Sequence, residues 1–117
     1  MKKIILSLLL FAVAQVSWAQ FILNAGKPVV LVYDKSEGMV VNTALELFTR
    51  DCQAVLSSPV QQDGKAGHIV IGTVGKSPLI AETGADVSAL EGKKQAFLLT
   101  VLPDGKLLVA GSDQYGT

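Results

Sequence analysis

From Met39 to Leu56 apolar residues recur at helical spacing, and this run does most to limit what the rest of the chain can become. Val41, Ala44, Leu45, Phe48, Cys52, Val55 and Leu56 follow i, i+3, i+4, i+7 steps, which places them on one face of an α-helix. Glu46 and Arg50 stand four apart on the other side, in the order that favours an i,i+4 ion pair. Ser57-Ser58-Pro59 stops the helix. A lone amphipathic helix must lay its apolar stripe on another layer, and the flanking sequence offers strands.

Those strands are short and rich in β-branched residues. Phe21 to Leu23 is a strand candidate, ended by Asn24-Ala25-Gly26. Pro28 opens Val29 to Tyr33, which reads as a strand throughout. Asp34 to Gly38 is a loop, with Ser36 placed to cap the helix and Glu37 to lie in its first turn. Val60 to Gln62 is a brief strand, and Asp63 to Gly67 a turn. His68 to Gly72 is the next strand, and Ser77-Pro78 starts a short helix that Gly84 interrupts. Ala96 to Leu102 and Leu107 to Ala110 form a hairpin around Pro103-Asp104-Gly105-Lys106. The order is β-β-α-(β)-β-α-β-β. The expected fold is an α/β (α+β) sandwich: a mixed sheet with the long helix on one face and an incomplete second covering layer. Gly111-Ser112-Asp113 reads as the start of a further helix, so the chain is expected to be truncated.

The first 19 residues have a different character. Lys2 and Lys3 precede an apolar run from Ile4 to Val13, and Ser17-Trp18-Ala19 is a small-x-small cleavage signal before Gln20. This is the pattern of a secretory signal peptide cut between Ala19 and Gln20, with an uncleaved anchor as the alternative. The apolar run is shorter than the ~20 residues that cross a bilayer. The expected organisation is a signal peptide over 1–19 and one domain over 20–117, secreted or periplasmic. The leader holds two of the ten basic residues and none of the ten acidic ones, which leaves the remainder at a net charge of −2. Nothing basic enough to hold nucleic acid or an anionic membrane remains. The single cysteine, Cys52, excludes an internal disulfide.

Candidate chemistry is sparse. Gly72-Thr73-Val74-Gly75-Lys76-Ser77 follows a strand and precedes a helix, as a phosphate loop would. Its glycine spacing is wrong for successive amides to wrap a phosphate, and a tight strand-to-helix turn explains it. Asp34 and Glu37 lie at a strand end, where open α/β sheets bind ligands, but loop solvation and helix N-terminal charge account for them. Asp51 is a solvent-facing helix residue and Asp104 a turn residue, while Asp113 is weighed as a helix cap against a ligand role. His68, the only histidine, has no nucleophile beside it in the pattern, and Cys52 reads as a buried thiol. No catalytic, cofactor-binding or metal residue is assigned. Phe21, Phe48 and Phe97 read as core, which leaves Tyr33 and Tyr115 as thin support for a carbohydrate platform.

Two segments carry a resemblance: Ile71-Gly72-Thr73-Val74-Gly75-Lys76-Ser77-Pro78-Leu79-Ile80, and Ala110-Gly111-Ser112-Asp113-Gln114-Tyr115-Gly116-Thr117. Together with the order of elements they resemble the N-terminal domain of glycoside hydrolase family 115, the xylan α-1,2-glucuronidases. The resemblance marks Ser112, Asp113, Gly116 and Thr117 as a substrate-side or structural motif. Tyr115 stands where the family usually has arginine, which puts any contact by that arginine in doubt here. The resemblance implies a non-catalytic domain of an exported enzyme that releases (4-O-methyl)glucuronic acid from glucuronoxylan. The catalytic (β/α)₈ barrel, absent from this sequence, would be its packing partner, and no cofactor, nucleic acid or membrane is implied after cleavage. A stand-alone exported binding or interaction domain without catalysis is the second reading. A small independent enzyme has no residue constellation to support it.

Overall fold

A computed structural model describes residues 20–63 and 66–117. The signal-peptide reading of Met1 to Ala19, and Gly64-Lys65 of the predicted turn, lie outside the described residues. Five strands form one mixed sheet: β1 (Val29–Val32), β2 (Val60–Asp63), β3 (Ile69–Thr73), β4 (Phe97–Val101) and β5 (Leu107–Gly111). Two α-helices accompany them, α1 (Met39–Leu56) and α2 (Pro78–Glu82). The sheet order is β2-β1-β3-β5-β4. β1 runs parallel to β2 and β3, β3 runs parallel to β5, and only the β4–β5 hairpin is antiparallel.

Both faces of the inner strands are buried, as their consecutive apolar residues require. On one face Val29, Leu31, Ile69 and Ile71 pack with Val41, Leu45 and Cys52 of α1, and Phe48 lies against them. On the other, Val32, Val70, Leu108 and Ala110 pack with Ile80 of α2, Leu90 and Leu102. That second face carries only the short α2 and the segment between α2 and β4. Cover is also incomplete on α1's own face, beyond the helix at the β4 end, where Phe97 is 67% and Leu99 58% exposed. Phe97 is thus not a core residue. The stripe of α1 is also narrower than its periodicity predicts: Ala44 and Val55 lie outside the buried contact.

Local chemistry explains the boundaries. Ser57 turns left-handed at φ 52°, and the Ser57 and Ser58 amides close back onto the Cys52 carbonyl, ending α1. Gly38, not Ser36, is the residue that opens α1, at φ 106°. Ser36 is held in a 3-10 turn over Lys35–Glu37, with its amide and hydroxyl both donating to Asp34. Ser77 does precede Pro78 at the start of α2, yet its side chain makes no capping bond and its buried hydroxyl has no hydrogen-bond partner. Phe21 to Leu23 is no strand; Phe21 and Leu23 pack as irregular chain on the α1 cluster. The outer edge strand β2 reads Val-Gln-Gln-Asp, and its polar side chains suit an exposed edge. The hairpin turn closes with Leu102 donating to the Lys106 carbonyl at 2.7 Å and Gly105 at φ 87°.

Candidate functional site

In a parallel sheet, the crevice lies where neighbouring strands send their connections to opposite faces. Here that point falls between β1 and β3. β1 leads into α1 on one face, and β3 leads into α2 on the other. The C-terminal ends of β1, β3 and β5 bring Asp34, Glu37, Thr73, Lys76, Asp113 and Thr117 to this edge.

Glu37 is the centre of the arrangement and is fully buried. Its two carboxylate oxygens accept from the Thr73 amide at 2.9 Å and the Thr73 hydroxyl at 2.7 Å. The Lys76 ammonium donates to the Glu37 backbone carbonyl at 3.2 Å. Thr73 Oγ1 also lies 2.7 Å from Thr117 Oγ1. Since the Thr73 proton points to the carboxylate, the Thr117 hydroxyl is the donor of that pair. The same Thr117 hydroxyl lies 2.9 Å from the Asp113 carbonyl, so its one proton is shared between two acceptors. The reading of Glu37 as solvation or helix N-terminal charge is therefore corrected: it bolts the loop after β1 to the end of β3.

The motif around Asp113 is structural in the same sense. Asp113 Oδ1 accepts from the Gly116 amide at 2.9 Å, and Oδ2 from the Gln95 amide at 2.9 Å. The Gln95 amide, then that of Gly116, hold the Asp113 carboxyl below the usual carboxylate range, with Lys94 adding to the effect. Ser112 exchanges two bonds with Ala96, its amide donating to the Ala96 carbonyl at 2.9 Å and its Oγ accepting from the Ala96 amide at 3.0 Å. A side chain at Gly116 would run into the Ala96 carbonyl, and one at Gly111 into Thr117. Tyr115 is 64% exposed. Asp34 is likewise committed to Ser36, whose amide and hydroxyl hold its carboxyl below the ordinary value.

An Asp113→Ala variant is expected to melt a few degrees below the parent, because two amides lose their acceptor. The pH dependence has a definite sign. A depressed native pKa means the stabilisation is fully present above the unfolded value of about 3.9 and is lost as pH falls through the native value. Thermal melts of the parent and Asp113→Asn should therefore converge as pH falls below about 4.

The remaining candidates resolve simply. His68 accepts the Val30 amide on Nδ1 at 3.1 Å, a structural role. Burial, then the neighbouring Asp51, pushes the Cys52 thiol up, as expected of an inert buried cysteine. In the glycine-rich turn the Thr73 amide is already taken by Glu37, and Gly72 is filled against by Ile80 and Ser77. That turn cradles no phosphate. Among the described residues no cluster of three His, Cys, Asp or Glu side chains could hold a metal, and no helix is long and apolar enough to cross a membrane.

The fold has a solved counterpart. A structure described as a novel family GH115 4-O-methyl-α-glucuronidase with specificity for decorated arabinogalactans superposes with a TM-score of 0.81. It is 51% identical over 84% of this chain. The chain is a GH115-related domain. It spans 13% of the length of that glucuronidase. No protein-family model and no curated protein matches the chain. Within the GH115-related domain, both resemblance segments converge on one edge of the sheet: Thr73 and Lys76 from the first, Ser112 to Thr117 from the second. The Glu37–Thr73 bond was not read from the sequence. Its signal is present, since Thr73 closes a strand whose five residues are all buried, and a hydroxyl there needs a partner.

Proposed function

We propose that this chain serves as the non-catalytic N-terminal domain of an exported α-glucuronidase that removes (4-O-methyl)glucuronic acid from a plant polysaccharide. The observation that carries this reading is the 51% identity to a GH115 glucuronidase together with the commitment of the edge carboxylates. Glycoside hydrolysis needs one carboxylic acid and one carboxylate free to face the scissile bond. Glu37 has both oxygens on Thr73, and Asp113 has both on backbone amides. These groups build the edge of the sheet and leave the chemistry to a catalytic barrel, against which the domain packs. The signal-peptide pattern before Gln20 supplies the export reading.

Glucuronoxylan is the substrate that the family resemblance implies, whereas the similar glucuronidase acts on decorated arabinogalactans. Both present a terminal (4-O-methyl)glucuronic acid, which is the shared chemistry. The purified chain incubated with each polysaccharide should release no free uronic acid. Release from either would overturn the non-catalytic role. Expression with its leader in a bacterial host should give a periplasmic product whose first residue is Gln20; retention of Met1 would count against export by cleavage.

A further inference from the structure

We propose that the cleft between α1 and the edge strand β2 binds the neutral sugar backbone of a polysaccharide, with Tyr33 as its platform and Asn42, Glu46 and Gln62 as its hydrogen-bonding rim. The sheet itself creates the cleft. α1 rests on Val29 and Leu31 of β1 and on Ile69 and Ile71 of β3, so on one side the sheet extends a strand further, to β2. Val60 and Gln62 pair with Val29 and Leu31, which puts them on the α1 face as a ledge beside the helix. The space over that ledge is a cavity of about 500 Å³, with Leu31, Leu45 and Val60 as its apolar base. A second cavity of about 550 Å³ continues it over the C-terminal end of β1, and Tyr33, Lys35 and Gln62 line both. Small-molecule sites fall in the range of ~300–1,000 Å³.

The lining offers hydrogen bonds that the protein leaves unused. Tyr33 and Asn42 are half-buried, yet among the described residues neither the Tyr33 hydroxyl nor the Asn42 side-chain amide has a hydrogen-bond partner. Glu46 and Lys35 form no ion pair among those residues either. Asn42 and Glu46 stand one helical turn apart, so both project from the same side of α1 into the cleft. Gln62 meets them from β2. Its Nε2 donates to the Tyr33 carbonyl at 3.3 Å, which pins the side chain to the end of β1 and leaves Oε1 as an acceptor.

These groups select a class of ligand. A pyranose has an apolar C–H face and a rim of hydroxyls that both donate and accept. The first suits the negative face of an aromatic ring. The second suits amides and a carboxylate, which together supply donors and acceptors. Charge narrows the class further. The cleft holds one cation, Lys35, against two anions, Glu46 and Asp34, and Asp34 is already bound to Ser36. That balance gives no attraction for a uronate or a phosphate. The part of a polysaccharide that fits is its uncharged backbone, not the uronic acid that the proposed enzyme removes. The inference rests on the polysaccharide reading of the chain and adds a contact made by this domain alone. A tether of this kind raises the local concentration of substrate without any part in the chemistry.

Titration of the purified chain with xylo-oligosaccharides and with galacto-oligosaccharides, both free of uronic acid, tests this by heteronuclear NMR. Saturable shifts are expected in the side-chain amides of Asn42 and Gln62 and in the backbone amides of Tyr33 and Lys35. The series that binds more tightly identifies the backbone. Glucuronic acid alone should bind at least about tenfold more weakly. Asn42→Ala, at a helix position where alanine costs no propensity, should weaken binding several-fold with the melt unchanged. Tyr33→Ala should weaken it about tenfold, while Tyr33→Phe, which keeps the ring, should retain most of the affinity. The proposal is overturned by the absence of saturable shifts with both series, or by shifts that survive both Asn42→Ala and Tyr33→Ala. Tighter binding of glucuronic acid than of the neutral sugars would overturn it too. Its failure would leave the non-catalytic role standing, since that role is tested separately by release of uronic acid.

Discussion

Glu37→Ala is expected to destabilise the protein by about 2–4 kcal/mol, because it removes two hydrogen bonds and strands the Thr73 amide, while the Thr73 hydroxyl can turn to Thr117 Oγ1, 2.7 Å away. The Thr73 amide has no water within reach, because Glu37 is fully buried and Thr73 nearly so. For a domain of this size the loss corresponds to a melting temperature lower by on the order of 20 °C. Glu37→Gln should fall between parent and alanine. It keeps an acceptor for one Thr73 donor and sets an amide donor against the other or against nothing. Thr73→Val removes the hydroxyl while leaving the amide bond, so the double variant with Glu37→Ala should lose less than the sum of the singles. Urea denaturation of the four proteins measures this coupling. Strict additivity would show that Glu37 does not act through Thr73.

This bond also marks the limit of what the sequence makes legible. The long helix, the β1, β3 and hairpin strands, and the glycine-bearing turns follow from periodicity and turn chemistry, because each is decided by residues close together in the chain. Asp113 as a cap was readable for the same reason: its Gly116 partner is three residues away. Glu37 and Thr73 are 36 residues apart, and only the parallel pairing of β1 with β3 brings them together. Nothing local distinguishes Glu37 from a solvated loop carboxylate. The stripe of α1 shows the reverse case. Val41, Ala44, Leu45, Phe48, Cys52, Val55 and Leu56 were read as one face, whereas the sheet buries only Val41, Leu45 and Cys52 and leaves Ala44 and Val55 exposed. Periodicity reports that a position is apolar; whether the sheet covers it is set by where the strands end.

Leu108→Ala and Leu99→Ala should separate these two kinds of apolar residue on adjacent strands. Leu108 has no exposed surface and sits in the cluster formed with Val32, Val70, Ile80 and Ala110. Its truncation removes buried methyl groups and leaves a cavity that α2, anchored by Ile80, can only partly close. The expected loss is about 2–5 kcal/mol, or on the order of 15 °C in melting temperature. Leu99 is 58% exposed on the opposite face of the same hairpin, and its change to alanine should alter stability by no more than about 0.5 kcal/mol. Chemical denaturation with an unchanged m-value reads both effects on one scale.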